Sequence, residues 1–186
     1  SFNRPSGVAV DGSGNVYVAD ESNHLIRKIT PAGVVTTLAG SGSSGSANGN
    51  GTAASFRNPS GVAVDGNGNV YVADASNHMI RKITAAGVVT TFAGSGSEGF
   101  LNGTGTNALF KFPYDVAVDG SGNVYVGDDA NRRIRKITSA GVVTTLAGSG
   151  SSGSADGTGT AASFNDPRGV AVDGSGNVYV ADKVNH

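Results

Sequence analysis

A gap-free 54-residue period, four short β-rich runs inside each period, and turn clusters between the runs together predict an all-β chain of repeated antiparallel sheets. Phe2, Phe56, Phe110 and Phe164 recur at a constant spacing of 54 residues. Residues 1–54 match residues 55–108 at 42 positions with no gap. The chain therefore reads as one domain, 1–186, made of repeats 1–54, 55–108 and 109–162 and a partial copy over 163–186. In architectures of this kind each repeat covers the apolar face of the next.

In the first copy the four runs are Gly7–Asp11, Asn15–Ala19, Leu25–Thr30 and Val34–Ala39. They are rich in Val, Ile, Thr and Tyr, which favour a pleated, half-buried backbone. Gly12-Ser13-Gly14, Asp20–His24 and Pro31-Ala32-Gly33 separate them and supply hairpin turns. No stretch carries ten or more residues at helical period, so no helix is expected. Both faces of the runs are small or apolar, as Val8 and Val10 against Ala9 show, so each sheet is expected to lie between two neighbours. A four-stranded meander repeated around an axis is a β-propeller blade. A β-solenoid has shorter coils and lacks three hairpins per coil. The expectation is a partial β-propeller of three full blades and a half-blade, with fourteen strands.

Composition narrows the function. Thirty glycines among 186 residues, without a Gly-X-Y period, indicate many turns and exclude collagen. A net charge of −1, from 13 basic and 14 acidic residues, supplies no general attraction to nucleic acid or an anionic membrane. The chain has no Cys, which removes disulfides, thiolate metal sites and Cys nucleophiles and points to no particular compartment. No apolar run approaches the ~18 residues of a membrane-spanning helix. Ser1 opens the sequence with no signal-peptide pattern behind it, as in a mature or excerpted chain.

The residues also carry a resemblance. Asn23-His24-Leu25, within GVAVDGSGNVYVAD–SNHLIRKIT, resembles the NHL repeat, with Asn77-His78-Met79 and Asn131-Arg132-Arg133 as variants and Asn185-His186 opening a fourth. The resemblance covers essentially the whole chain and implies a propeller, usually of six blades. It implies little about activity, because one fold hosts many functions.

With strands lettered A to D from the axis outward, the A–B and C–D turns share one rim. The B–C turns and the long D–A crossovers, such as Gly40–Ala54, share the other. Functional residues are expected on that second rim. Asp20 and Asn23 recur there as Asp74 and Asn77, Asp128 and Asn131, and Asp182 and Asn185. Short Asp and Asn side chains bond nearby backbone N–H groups, so these are read as a structural turn motif. His24, His78 and His186 have no such explanation, and Arg132 replaces them in the third copy. A metal cluster of these histidines is weighed and set aside, because the B–C turns are expected away from the axis.

Three further patterns are read structurally. Gly40-Ser41-Gly42-Ser43-Ser44-Gly45 has the form G-x-G-x-x-G, but no helix follows to hold a dinucleotide, so it reads as a flexible crossover. Asp11, Ser13 and Asn15 sit like the first ligands of a calcium loop, yet Val16 and Ser22 stand where Gly and Glu are required. Arg27-Lys28, Arg81-Lys82 and Arg135-Lys136 are read as solvated or snorkelling blade edges. Acidic Asp20, Glu21, Asp74, Asp128 and Asp129 on the same rim argue against nucleic-acid binding.

The third copy departs most. Pro113-Tyr114-Asp115, preceded by Lys111-Phe112, stands where other copies read Pro-Ser-Gly or Pro-Arg-Gly. Phe112, Tyr114 and Asp115, with Arg4, Arg57 and Arg168 at neighbouring starts of strand A, are the candidate ligand- or partner-binding residues. No catalytic residue, cofactor or metal is assigned. The expected role is a non-catalytic binding scaffold, likewise a self-assembling propeller fragment. The alternative is part of a lyase- or hydrolase-type propeller enzyme with a site over the axis. Bare blade faces at both ends lead to the expectation of a homodimer that closes the ring, either with eight positions, two of them thin, or with six and displaced tails.

Overall fold

The computed structural model describes residues 1–185. Its strands are β1 (Pro5–Val10), β2 (Val16–Asp20), β3 (Leu25–Ile29), β4 (Val35–Ala39), β5 (Gly49–Asn50), β6 (Pro59–Val64), β7 (Val70–Asp74) and β8 (Met79–Ile83). There follow β9 (Val88–Ala93), β10 (Gly103–Thr104), β11 (Pro113–Val118), β12 (Val124–Asp128), β13 (Arg133–Ile137), β14 (Val142–Ala147), β15 (Pro167–Val172) and β16 (Val178–Asp182). Helical structure among the described residues is confined to single 3-10 turns, and no helix is long and apolar enough to cross a membrane.

Each 54-residue repeat forms one antiparallel sheet, in the order β1-β2-β3-β4 for the first. The second and third sheets have five strands, β5-β9-β8-β7-β6 and β10-β14-β13-β12-β11, and the fourth is the pair β15-β16. The innermost strands β1, β6, β11 and β15 pack side by side in that order, which brings the A strands together along one axis. Side chains stitch them: Ser6 Oγ donates to the Ser60 carbonyl at 2.6 Å, and Ser60 Oγ to the Tyr114 carbonyl at 2.5 Å.

The crossovers differ from the expectation of loose loops. Each of the first two adds a two-residue strand to the outer edge of the following blade, Gly49 and Asn50 pairing with Val89 and Val88, Gly103 and Thr104 with Val143 and Val142. Sixteen strands result among the described residues, against fourteen expected. Gly-rich segments of two paired residues carry neither alternation nor β-branched residues, so no pattern marked them.

The core consists of layers between blades. Phe56 and Phe110 are fully buried, each in one of the two main layers. Val8 is 65% exposed on the first blade, whereas its counterpart Val62, with a blade on each side, is 4% exposed. Covering such a side chain stabilises by roughly 1.5–3 kcal/mol, so a blade gains its stability from its neighbours.

The Arg-Lys pairs are corrected in half. Lys28, Lys82 and Lys136 do lie along Tyr17, Tyr71 and Tyr125, the cross-strand partners of their register. Arg81 and Arg135 are instead fully buried. Strand alternation sends Lys to one face and Arg to the other, and the Arg face meets a buried carboxylate. Asp20, Asp74 and Asp128 are likewise fully buried, so they add no negative surface to the rim.

Candidate functional site

The B–C turns are built on buried Asp–Asn–Arg clusters. Asp74 accepts the Arg57 N–H at 2.8 Å, the Asn77 amide at 2.9 Å and Arg81 Nη1 at 2.9 Å. Asp128 accepts the Lys111 N–H at 2.8 Å, the Asn131 amide at 2.9 Å and Arg135 Nη1 at 2.8 Å. Asp20 holds the Asn3 N–H and Asn23, and Asp182 holds the Asn165 N–H and Asn185. Burial pushes the Asp74 and Asp128 carboxyls up, against the pull of these donors. Asn77 and Asn131 also donate to the Gly45 and Gly99 carbonyls, tying each turn to the crossover beside it.

His24 and His78 occupy the left-handed residue that ends each 3-10 turn, at φ 57° and 56°. Their Nδ1 atoms accept the N–H groups of Asn58 and Phe112, both at 3.2 Å and both on the next blade. Asn58 and Phe112 themselves have φ of 50° and 49° just before a proline. That backbone is uncommon for side-chain-bearing residues. Sequence reasoning missed this role because the partner lies 34 residues downstream and is a backbone group. His186 lies outside the described residues. Among the described residues no three His, Asp or Glu side chains gather as a metal site.

The turns reach further inward than expected. Glu21, Ala75, Ser76 and Asp129 from three successive B–C turns line one cleft of about 390 Å³ with Asn58, Ser60, Phe112, Tyr114 and Arg168. The cleft thus draws on all four repeats. Three of the six candidate binding residues meet here. Arg168 stacks over the Tyr114 ring at 4.6 Å and sets its Nε 3.2 Å from Asp129. Phe112 is 42% exposed and packs edge-on against His78, with ring centroids 4.7 Å apart. Burial pushes the Asp129 carboxyl up, and the Arg168 charge opposes it.

The other three candidates lie elsewhere. Asp115 faces an adjoining recess lined by Ser6, Gly7, Val8, Ser60, Gly61 and Tyr114. Burial raises its carboxyl, while Oδ2 accepts the Val170 N–H at 3.1 Å across the blade boundary. Arg4 is exposed and approaches Glu21 at 3.8 Å. Arg57 is exposed and serves the cluster through its backbone N–H. The three arginines occupy different repeat positions, which spreads them over the rim instead of gathering them. Glu21, Asn58, Ser60, Ala75, Ser76 and Asp129 are the cleft residues not among the candidates. The resemblance of Asp129 to Glu21, one repeat position in different copies, was the available signal.

The comparisons agree with this architecture. The NHL repeat matches residues 2–29, 56–83 and 164–186, the A–B–C portions of the first and second copies and the A–B portion of the fourth. The chain is a member of the NHL-repeat family. This NHL-repeat chain is 36% identical over 122 residues to chicken (Gallus gallus) NHL repeat-containing protein 2, covering 63% of the chain and 17% of that protein. Human (Homo sapiens) NHL repeat-containing protein 2 is 30% identical over 230 residues, which cover all of the chain and 30% of the human protein. Among solved structures, a structural genomics protein of unknown function from Bacteroides thetaiotaomicron superposes with a TM-score of 0.80 at 28% identity. It covers 96% of the chain and 44% of its own length. An auxiliary nutrient binding protein from Bacteroides ovatus superposes with a TM-score of 0.78 at 23% identity, over the whole chain and 47% of that protein. The NHL-repeat chain thus spans less than a third of these curated relatives and about half of these solved propellers.

Proposed function

We propose that this NHL-repeat chain is a non-catalytic binding module, and that the cleft between its B–C turns holds a small polar ligand or a protein loop. The observation that carries the reading is the convergence of Phe112, Tyr114 and Arg168, residues that break the repeat, on one cleft. A concave site with exposed aromatic surface and a few fixed polar groups is the usual form of a ligand pocket. The Arg168–Asp129 pair and the stacked Tyr114 ring hold that polar floor in place. The axial acid, Asp115, is engaged with the Val170 N–H, which favours a structural role over acid catalysis. The Bacteroides ovatus neighbour is an auxiliary nutrient binding protein, which is in line with ligand binding.

The same proposal includes a second copy of the chain closing the ring, since the end sheets expose apolar side chains, Val8 and Val10 on β1 and Tyr179 on β16. Two tests separate the parts. A thermal-shift screen of sugars, amino acids and short peptides is expected to find a ligand whose effect disappears in Tyr114→Ala and Arg168→Ala. A ligand that stabilises both variants as well as the parent overturns the cleft assignment. Light scattering is expected to give twice the mass of one chain, and a monomer at micromolar concentration overturns ring closure.

A further inference from the structure

Blades two and three share a feature that blade one does not complete with the described residues. In blade two the crossover lays Gly49 and Asn50 on Val89 and Val88, and Gly51 N–H donates to the Gly87 carbonyl at 2.9 Å. The crossover also finishes the buried arginine. Arg81 Nη2 donates to the Ala47 carbonyl at 3.1 Å and to Asn48 Oδ1 at 2.8 Å. Blade three repeats both, with Gly103, Thr104 and the 2.9 Å bond from Gly105 to Gly141, and with Arg135 Nη2 on Leu101 and Asn102 Oδ1 at 3.0 and 2.8 Å.

In blade one, β4 has no outer partner among the described residues, and Val34 and Val35 are exposed there. Arg27, the counterpart of Arg81 and Arg135, reaches Asp20 only at 3.4 Å and keeps 18% of its side chain exposed. The crossover that follows β14 presents the complement. Asp156, Gly157 and Thr158 stand at the positions of Asn48, Gly49 and Asn50, exposed and paired to no strand. The amide that faces arginine in blades two and three is a carboxylate in this copy, the charge that suits an unfinished arginine.

The geometry points to β4 and Arg27 as the docking edge for residues 155–160 of a second copy of this chain, with Asp156 on Arg27. The inference rests on the ring closure proposed above and names the segment that makes it. The repeat register then sets Thr158 opposite Val34 and Gly157 opposite Val35. Continuing from that strap, residues 163–182 fall on the place that residues 1–20 hold within their own blade. The two segments differ only at Arg4 against Asp166 and Ser6 against Arg168. Residues 163–182 of one copy therefore replace residues 1–20 of the other, and β15-β16 is completed by β3-β4. Phe164 enters the site of Phe2 beneath Arg27, as Phe56 lies beneath Arg81 and Phe110 beneath Arg135. Two copies joined twice in this way make six complete blades, with residues 1–20 of each released.

The chain has no cysteine, so single thiols can be placed freely. Facing residues of antiparallel strands lie within the Cα separation of about 4.4–6.8 Å that a disulfide spans. Chains carrying Val34→Cys are mixed with chains carrying Thr158→Cys and oxidised mildly. Thr104 already places a side chain at the position of Thr158, and Val34 is exposed, so both variants keep the fold. The expected result is a cross-link joining one chain of each kind. A dimer by light scattering that forms no such cross-link overturns strap exchange and leaves ring closure standing. A monomer overturns both. Asp156→Ala is expected to weaken dimerisation by about a hundredfold to ten-thousandfold, since each of the two junctions loses one hydrogen bond to a charged group, worth about tenfold to a hundredfold. An unchanged dissociation constant overturns the pairing of Asp156 with Arg27.

Discussion

The imidazole of His24 reaches across a blade boundary, its Nδ1 accepting the backbone N–H of Asn58 at 3.2 Å. The pair recurs one repeat later as His78 and Phe112, and there the same imidazole supports an aromatic wall of the cleft. The acceptor role requires a neutral ring with its proton on Nε2. In the third copy Arg132, which offers only donors, stands at the end of the turn, so that boundary has no such clasp.

His78 links this contact to pH. Burial, the largest influence, holds its pKa below the ordinary 6.5, with the charges of Arg57 and Lys111 acting in the same sense and Glu98 opposing. The unfolded chain then binds the proton more readily than the native one. Stability is complete above about 6.5 and declines as pH falls through the lower folded value. Melting temperature followed from pH 7.5 to 5 is expected to drop, and His78→Gln is expected to flatten the decline. An identical slope in both proteins contradicts the assignment.

Arg81 and Asp74 are both buried and 2.9 Å apart. Removing one member strands the other charge, so Arg81→Ala is expected to destabilise by about 3–5 kcal/mol in urea denaturation. Replacing both, with Asp74→Ala added, is expected to lose less than the sum of the single losses. Strict additivity means that the two groups are not coupled.

Gly61 sits where a Cβ would collide with the Cα and carboxylate of Asp115, with the Tyr114 carbonyl 2.9 Å away. Gly61→Ala must therefore push strands β6 and β11 apart at the axis. A loss of about 1–3 kcal/mol is expected, measured by the same denaturation. Gly12→Ala is the control, since no atom lies within 4 Å of its Cβ position. Equal effects from the two substitutions argue against close packing at the axis.

Asp11 anchors the first hairpin. Oδ1 accepts the N–H groups of Ser13 and Asn15, and Oδ2 accepts the Asn15 amide and the Tyr17 hydroxyl. The Asn15 side chain leads these donors in drawing the carboxyl down to about 2. The stabilisation is present above the ordinary value of 3.8 and is lost as pH falls through about 2. A carbon-13 titration of Asp11 should show its midpoint there, and a midpoint near 3.8 removes the basis for the claim. Satisfied on both oxygens, this carboxylate is also a poor start for a calcium loop.

Much of this was legible from residues alone. The 54-residue spacing, the β-branched runs and the Gly-containing turns define the blade because each acts over a few neighbouring positions. The missing pieces all depend on partners distant along the chain. Arg81 and Arg135 read as edge residues until the fold set a carboxylate seven residues away on the same buried face. The two-residue strands of the crossovers became visible only against the outer edge of the next blade. His24 had no evident role while its acceptor function required a backbone group in another repeat.

The cleft divides the same way. That the third copy differs, at Phe112, Tyr114 and Asp115, is plain in the residue order. That Phe112 and Tyr114 meet Arg168 and Asp129, while Asp115 turns to the adjoining recess and Arg4 and Arg57 stay outside, was decided by how the A strands and B–C turns of successive blades pack together. Periodicity, a local property of the chain, determined the repeating sheet. Convergence of side chains from four sheets is a property of their common axis, and only the assembled fold supplies one.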